Sequence, residues 1–218
     1  NRANNPPETA RFTHGLPLVV GLERADFTKG IPERLEAIAR AWEGGARFAY
    51  VGVAAPTRQS VTAYRAVEYA IAEGEARAAD AAAAAGMPFL NLHESIPWES
   101  VIALQREADV VFTSSLADGM NLVPLQAAIA QSLRPASRRG VILVGRDAGV
   151  ARVFADYSRE GLTVVDPFDI DDLANRFAAS LAGVPGRISA RLVSAVAAND
   201  AAAWATRFLA DLDGGTQC

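Results

Sequence analysis

Six short, largely apolar runs, each followed by a stretch with helical spacing, constrain this chain more than any other feature. They lie at residues 16–22, 48–53, 89–92, 109–113, 141–144 and 162–165. A strand with one face in water alternates apolar and polar side chains, whereas a strand buried on both faces reads as a continuous apolar run. Continuous runs alternating with helices therefore imply a parallel sheet covered by helices on both sides. Right-handed crossovers make this a doubly wound, Rossmann-like α/β fold. In such folds a ligand sits beyond the carboxyl ends of the strands, where the strand order reverses. The loops after the strands are thus where function is expected.

The helices expected between these runs have ordinary signals. Pro32 suits a first turn. Ile31, Leu35, Ile38, Ala39 and Trp42 share one face, and Gly44-Gly45 ends that helix. A long helix is expected over 58–85, closed by Gly86 after an Ala-rich run. Others are expected over 97–107, 120–131, 150–157 and 171–181. One final helical stretch is expected over 187–212.

Charge and cysteine usage narrow the function. The formal net charge is −4, which removes the electrostatic case for nucleic acid or an anionic membrane. No apolar run approaches the roughly 20 residues that span a bilayer. The first residues, Asn1-Arg2-Ala3-Asn4-Asn5-Pro6-Pro7, show neither an initiator Met nor an apolar signal region, which points to a fragment. Cys218 is the one cysteine, so no intrachain disulfide is expected and a reducing cytoplasm is the simplest setting. Twenty arginines stand against one lysine, Lys29, which either must be a lysine or survives by chance.

Two loops carry residues with chemistry. Residues 22–30 place Arg24 and Lys29 just past a strand end, where two cations can grip a diphosphate; Gly30 permits a tight turn there. An ordinary solvated loop fits the same residues. Residues 114–123 follow the fourth run and open a helix, whose free N–H groups suit a phosphate. Asp118-Gly119 there reads equally as a cap and turn.

Taken together, the motifs resemble the trehalose-6-phosphate synthase family. The resemblance is carried by Glu23-Arg24-Ala25-Asp26-Phe27-Thr28-Lys29-Gly30-Ile31-Pro32-Glu33-Arg34 and by Ala55-Pro56-Thr57-Arg58 with Val61 and Tyr64. The hexapeptide Asp118-Gly119-Met120-Asn121-Leu122-Val123 and Asp166-Pro167-Phe168-Asp169 carry it further. Asn199-Asp200, Trp204, Phe208-Leu209 and Asp211-Leu212 complete it, so that it covers about residues 16–212.

The resemblance implies a retaining glycosyltransferase of GT-B architecture, two Rossmann-like domains with the active site between them. This chain would be the C-terminal, donor-binding one. Residues 1–15 would be an extension or linker, 16–185 the nucleotide-sugar-binding domain, and 186–218 a helical segment closing it. By resemblance, Arg24 and Lys29 hold the donor phosphates and stabilise the leaving diphosphate. Asp118 binds a glucose hydroxyl, and backbone N–H groups from Gly119 to Val123 contact sugar and phosphates. A backbone group near Ile96 touches the base. The expected reaction joins a nucleotide-activated glucose, UDP-glucose or similar, to glucose 6-phosphate. It requires neither a cofactor nor a metal. The acceptor site would come from an N-terminal domain of the same protein, without which this chain is expected to be inactive. Homo-oligomerisation stays open. Glucosylglycerol-phosphate synthase shares the donor motifs, and a non-catalytic nucleotide- or sugar-phosphate-binding homologue is a further alternative.

The chain also departs from that pattern. Where the family usually has a Glu reaching the donor ribose, this chain has Gln126, with one accepting oxygen where a carboxylate has two. Residues 145–150 keep only part of the family's small-residue turn. Asp169-Ile170-Asp171 spells the Asp-x-Asp of metal-dependent transferases but sits where acids suit a helix start. His14 and His93 have no spaced partner and are expected to be structural or superficial. Trp42, and Trp204 with Phe208, are expected in the core.

Overall fold

The computed structural model describes residues 8–214 apart from Gln59 and Pro185. Cys218 and the first seven residues lie outside the described residues. Six strands form one parallel sheet: β1 (Leu18–Arg24), β2 (Ala49–Ala55), β3 (Phe89–Leu92), β4 (Val110–Phe112), β5 (Val141–Gly145) and β6 (Leu162–Val165). Their order is β3-β2-β1-β4-β5-β6, so the winding reverses between β1 and β4. Val20 of β1 pairs with Val51 on one side and Val111 on the other. This is the doubly wound α/β fold expected from the apolar runs.

Within each continuous run the side chains still alternate in direction. Val19, Tyr50, Val110, Phe112, Leu143 and Val165 enter one core, against α2 (Ile31–Glu43), α3 (Tyr64–Ala85) and α7 (Ile170–Leu181). Leu18, Val20, Val51, Val111, Ile142 and Val144 enter the other. That face is covered by α4 (Trp98–Glu107), α5 (Leu122–Ser132), α6 (Gly149–Val153) and α8 (Ala190–Ala198). On α2 the expected apolar face is fully buried, and Trp42 stacks on Phe48 at 4.7 Å between centroids.

Several boundaries differ from expectation, each for a local reason. β1 starts at Leu18 because Pro17 has no N–H to give, although its carbonyl accepts from Ala49 at 2.9 Å. It runs on to Arg24 because Glu23 is buried by an ion pair. α3 starts six residues late, at Tyr64 rather than Arg58, since Arg58 adopts a left-handed backbone with φ of 48°. The short helix over 150–157 is α6 followed by a separate 3-10 turn, Ala155–Tyr157. The residues before β1 include a short helix, α1 (Glu8–Thr13).

The final helical stretch is two helices. α8 ends at Ala198, capped by Asn199, and Asp200 accepts the Ala203 N–H to start α9 (Ala201–Gly214). Trp204 and Phe208 stack on each other at 5.3 Å but are 59 % and 49 % exposed, so they are not core residues. A break between helices turns an apolar spacing that would face the sheet toward solvent. Asp169 caps α7 by accepting the Asp172 N–H at 3.0 Å, and Asp171 pairs with Arg40, as acids at a helix start do. His93 has a partner that its sequence neighbourhood does not announce, Glu75.

Candidate active site

A cleft of about 310 Å³ opens at the carboxyl ends of β1 and β2, beside the reversal of the winding. Its lining includes Arg24, Lys29, Ile96, Asn121, Leu122, Val123 and Gln126 from the residues singled out above. Asp118, Gly119 and Met120 are not part of that lining. Asp118 reaches the cleft through Lys29, with which it forms an ion pair.

The first loop is built to present Lys29. Asp26 accepts from the Thr28 N–H at 3.1 Å and the Thr28 hydroxyl at 3.0 Å, which winds Phe27–Lys29 into one 3-10 turn. Burial works to raise the Asp26 pKa. Hydrogen bonds from Thr28 and Tyr64, with the charge of Arg24, outweigh it and hold the carboxyl below its ordinary value. The turn ends at Gly30, with φ of 62°, where a Cβ would lie 2.1 Å from the Ser114 carbonyl oxygen. Only glycine satisfies both the left-handed backbone and that approach. Ser114 donates its hydroxyl to the Gly30 carbonyl at 2.6 Å, and the Leu116 N–H donates to the Thr28 carbonyl at 2.8 Å. The loops after β1 and β4 are therefore fastened together.

The second loop is fastened in turn to the loop after β5. The Gly149 N–H donates to the Asp118 carbonyl at 3.0 Å, and the Val150 N–H to that of Met120 at 2.9 Å. A Cβ on Gly149 would lie 1.9 Å from the Gly119 oxygen, so this part of the small-residue turn is kept for a steric reason. Asn121, the N-cap of α5, has φ of 61°, which a non-glycine residue adopts only when its surroundings hold it. Its side chain donates to the Ser115 hydroxyl at 3.0 Å and accepts from the Val123 N–H at 3.2 Å. Asp118 Oδ1 accepts from the N–H groups of Met120 at 3.3 Å and Asn121 at 3.0 Å. With the Asp118 N–H donating to the Asp147 carbonyl at 3.4 Å, four backbone donors of the hexapeptide are occupied from within the chain. A ligand must take them over or use those of Gly119 and Leu122.

Beneath the cleft lies a pair to which the sequence reading assigned no role. Arg34 and Glu23 form an ion pair with both side chains only 1 % exposed. Arg34 also donates to the Tyr50 hydroxyl at 3.2 Å and to the Phe112 carbonyl at 3.1 Å. Burial by itself lowers the guanidinium pKa; Tyr50 and Glu23 outweigh it and raise it. Glu23 lines the floor of the cleft and lies beside Ser115 and Asn121. A signal for Arg34 was present: it falls three residues after Ile31, on the apolar face of α2. The opposite wall carries Ser95, Ile96, Trp98 and Val101. Trp98 is another residue with no role assigned from sequence; it is exposed at the mouth.

Among the described residues, no group of three or more His, Cys, Asp and Glu could hold a metal ion, and no helix is long and apolar enough to cross a membrane. What the cleft offers is two cations and a helix start over a buried ion pair, with an apolar wall opposite. That arrangement suits a phosphorylated ligand with a flat or apolar end.

Comparison with known proteins agrees with this geometry. The chain is 31% identical over 173 residues to an alpha,alpha-trehalose-phosphate synthase [UDP-forming] of Candida albicans, covering 76% of this chain and 34% of that protein. It is 30% identical over 208 residues to a second such synthase, from Aspergillus fumigatus, covering 91% and 41%. Among solved structures, a UDP-forming synthase from Burkholderia xenovorans in complex with glucose-6-phosphate superimposes with a TM-score of 0.82 at 27% identity, covering 94% of this chain and 46% of that one. One from Burkholderia vietnamiensis gives 0.82 at 26%, covering 97% and 48%. The chain spans between a third and a half of these relatives, one Rossmann-like half of their GT-B fold. The family described as glycosyltransferase family 20 matches residues 9–214, and the chain belongs to it.

Proposed function

We propose that this chain is the donor-binding half of a retaining glucosyltransferase that forms trehalose 6-phosphate from UDP-glucose and glucose 6-phosphate. The observation that carries the proposal is the convergence of Arg24, Lys29 and the start of α5 on one cleft at the winding reversal. The two cations bind the diphosphate. Asp118 accepts from a glucose hydroxyl, the apolar wall around Ile96 receives the base, and Gln126 faces the ribose. The acceptor site comes from a second, N-terminal Rossmann-like domain, which the longer relatives leave room for. The reducing cytoplasm is the compartment that suits this activity.

In the reaction the bond between the glucose anomeric carbon and the diphosphate oxygen breaks, and its electron pair leaves with the diphosphate. The acceptor hydroxyl oxygen bonds to the same face of that carbon and passes its proton to the departing phosphate. Arg24 and Lys29 are fixed where the negative charge grows, so they stabilise the transition state more than the ground state. Neither a carboxylate nucleophile nor a metal has a place in this scheme.

Calorimetric titration with UDP, GDP and ADP tests the donor site. Saturable binding of UDP that is lost in Lys29→Ala is the expected result. Failure of all three nucleotides to bind removes the reading.

A further inference from the structure

Lys29 and Asp118, each assigned above to a different part of the donor, are bonded to one another. Both are largely withdrawn from water, 12 % and 18 % exposed at the side chain. Asp118 uses Oδ1 for the Met120 and Asn121 N–H groups and Oδ2 for Lys29. The backbone carrying Lys29 is fixed by Asp26 on one side and Ser114 on the other. Turning Lys29 toward a diphosphate is therefore a side-chain rotation that breaks the pair.

The consequence depends on what enters. A bare nucleoside diphosphate offers oxygens to Lys29 and nothing to Asp118. It leaves a mostly buried carboxylate without its counter-charge, which is costly. An intact nucleotide sugar supplies both partners at once: phosphate oxygens for the ammonium and hydroxyl donors for the carboxylate. We propose that the Lys29–Asp118 ion pair is a selectivity element, making the cleft favour the intact nucleotide sugar over the nucleoside diphosphate that transfer leaves behind. Once glucose has left, re-formation of the pair competes with the diphosphate for Lys29 and speeds its release. This inference rests on the donor-site reading above.

The test is calorimetric titration of the unmodified chain, Asp118→Asn and Asp118→Ser with UDP and with UDP-glucose. Both substitutions free Lys29. The expected result is UDP binding about tenfold tighter in each variant, a change of about 1.4 kcal/mol, with UDP-glucose binding unchanged or weaker. The preference for the sugar-bearing ligand then falls by about tenfold or more. The two variants remove the charge in differently sized side chains, and circular dichroism reports whether each is folded. If folded variants bind UDP no more tightly than the unmodified chain, the inference is overturned while the donor site stands. If the unmodified chain binds neither ligand, the donor-site reading fails and takes the inference with it.

Discussion

Replacing Arg34 with Met removes one charge of a buried pair and leaves the other. Methionine matches much of the volume, so the cavity contribution is small. Glu23, with its side chain 1 % exposed, loses its counter-ion. The Phe112 carbonyl and Tyr50 hydroxyl lose a donor at 3.1 and 3.2 Å. Breaking a buried ion pair from one side costs about 3–5 kcal/mol. A domain of this kind is stable by only about 5–15 kcal/mol, so the loss is about a fifth of it or more. The thermal midpoint should fall by about 6–20 °C, taking about 2–4 °C per kcal/mol at this chain length. Urea unfolding followed by the fluorescence of Trp42, which is buried against Phe48, measures the change. The combination Glu23→Leu with Arg34→Met removes both charges and should recover at least half of the loss, since no buried charge remains unpaired. A single substitution costing less than about 1 kcal/mol, or a double variant at least as unstable as the two single losses added together, refutes this account of the cleft floor.

Three further outcomes are expected. Gly30→Ala forces a Cβ to within 2.1 Å of the Ser114 oxygen at a left-handed backbone; it should lower stability by more than about 1 kcal/mol and weaken UDP binding, read by denaturation and calorimetry. Asp26 has its pKa held below the ordinary value near ~4, so its stabilising contribution is present above that value and is lost as pH falls through the folded one. Urea midpoints between pH 5 and 2 should therefore fall more steeply in the unmodified chain than in Asp26→Asn; equal slopes would contradict this. Gln126→Glu gives the cleft a second accepting oxygen and should tighten UDP binding by about threefold to tenfold by calorimetry, with weaker binding counting against a ribose contact.

The strands and their layer order were legible because burial on both faces leaves its mark on every residue of a run. Leu162–Val165 appears where the apolar pattern puts it and Val141–Gly145 runs one residue past it, whereas the edge strand Phe89–Leu92 is found from its apolar residues without being fully buried. The gathering of Arg24, Lys29 and the α5 start in one cleft was legible too, because strand-end loops converge at a winding reversal. What stayed hidden were partners distant in sequence. Lys29 and Asp118 are 89 residues apart, and nothing local announces that they meet. Arg34 sat in plain view on an apolar face, but its burial follows from Glu23 on a neighbouring element. The break at Asn199–Asp200 was concealed by apolar spacing that continues through it, and so Trp204 and Phe208 face outward.

The fastening of three loops by Gly30, Ser114 and Gly149 divides the cleft into a half that is cast and a half that is hung. On the cast side, backbone touches backbone, so moving Lys29 or Asp118 by an ångström means rebuilding two strand-end turns together. On the hung side, Ser95 and Ile96 stand on a single connection between β3 and α4, and Trp98 opens α4. Exchanging Ser95 or Ile96 rebuilds neither of those turns, whereas Trp98 stands on α4, which packs against α5. Under the proposed donor reading, the wall that receives the base is the one open to reshaping in small steps. Reshaping the cast side, where that reading puts the diphosphate, requires several coordinated substitutions.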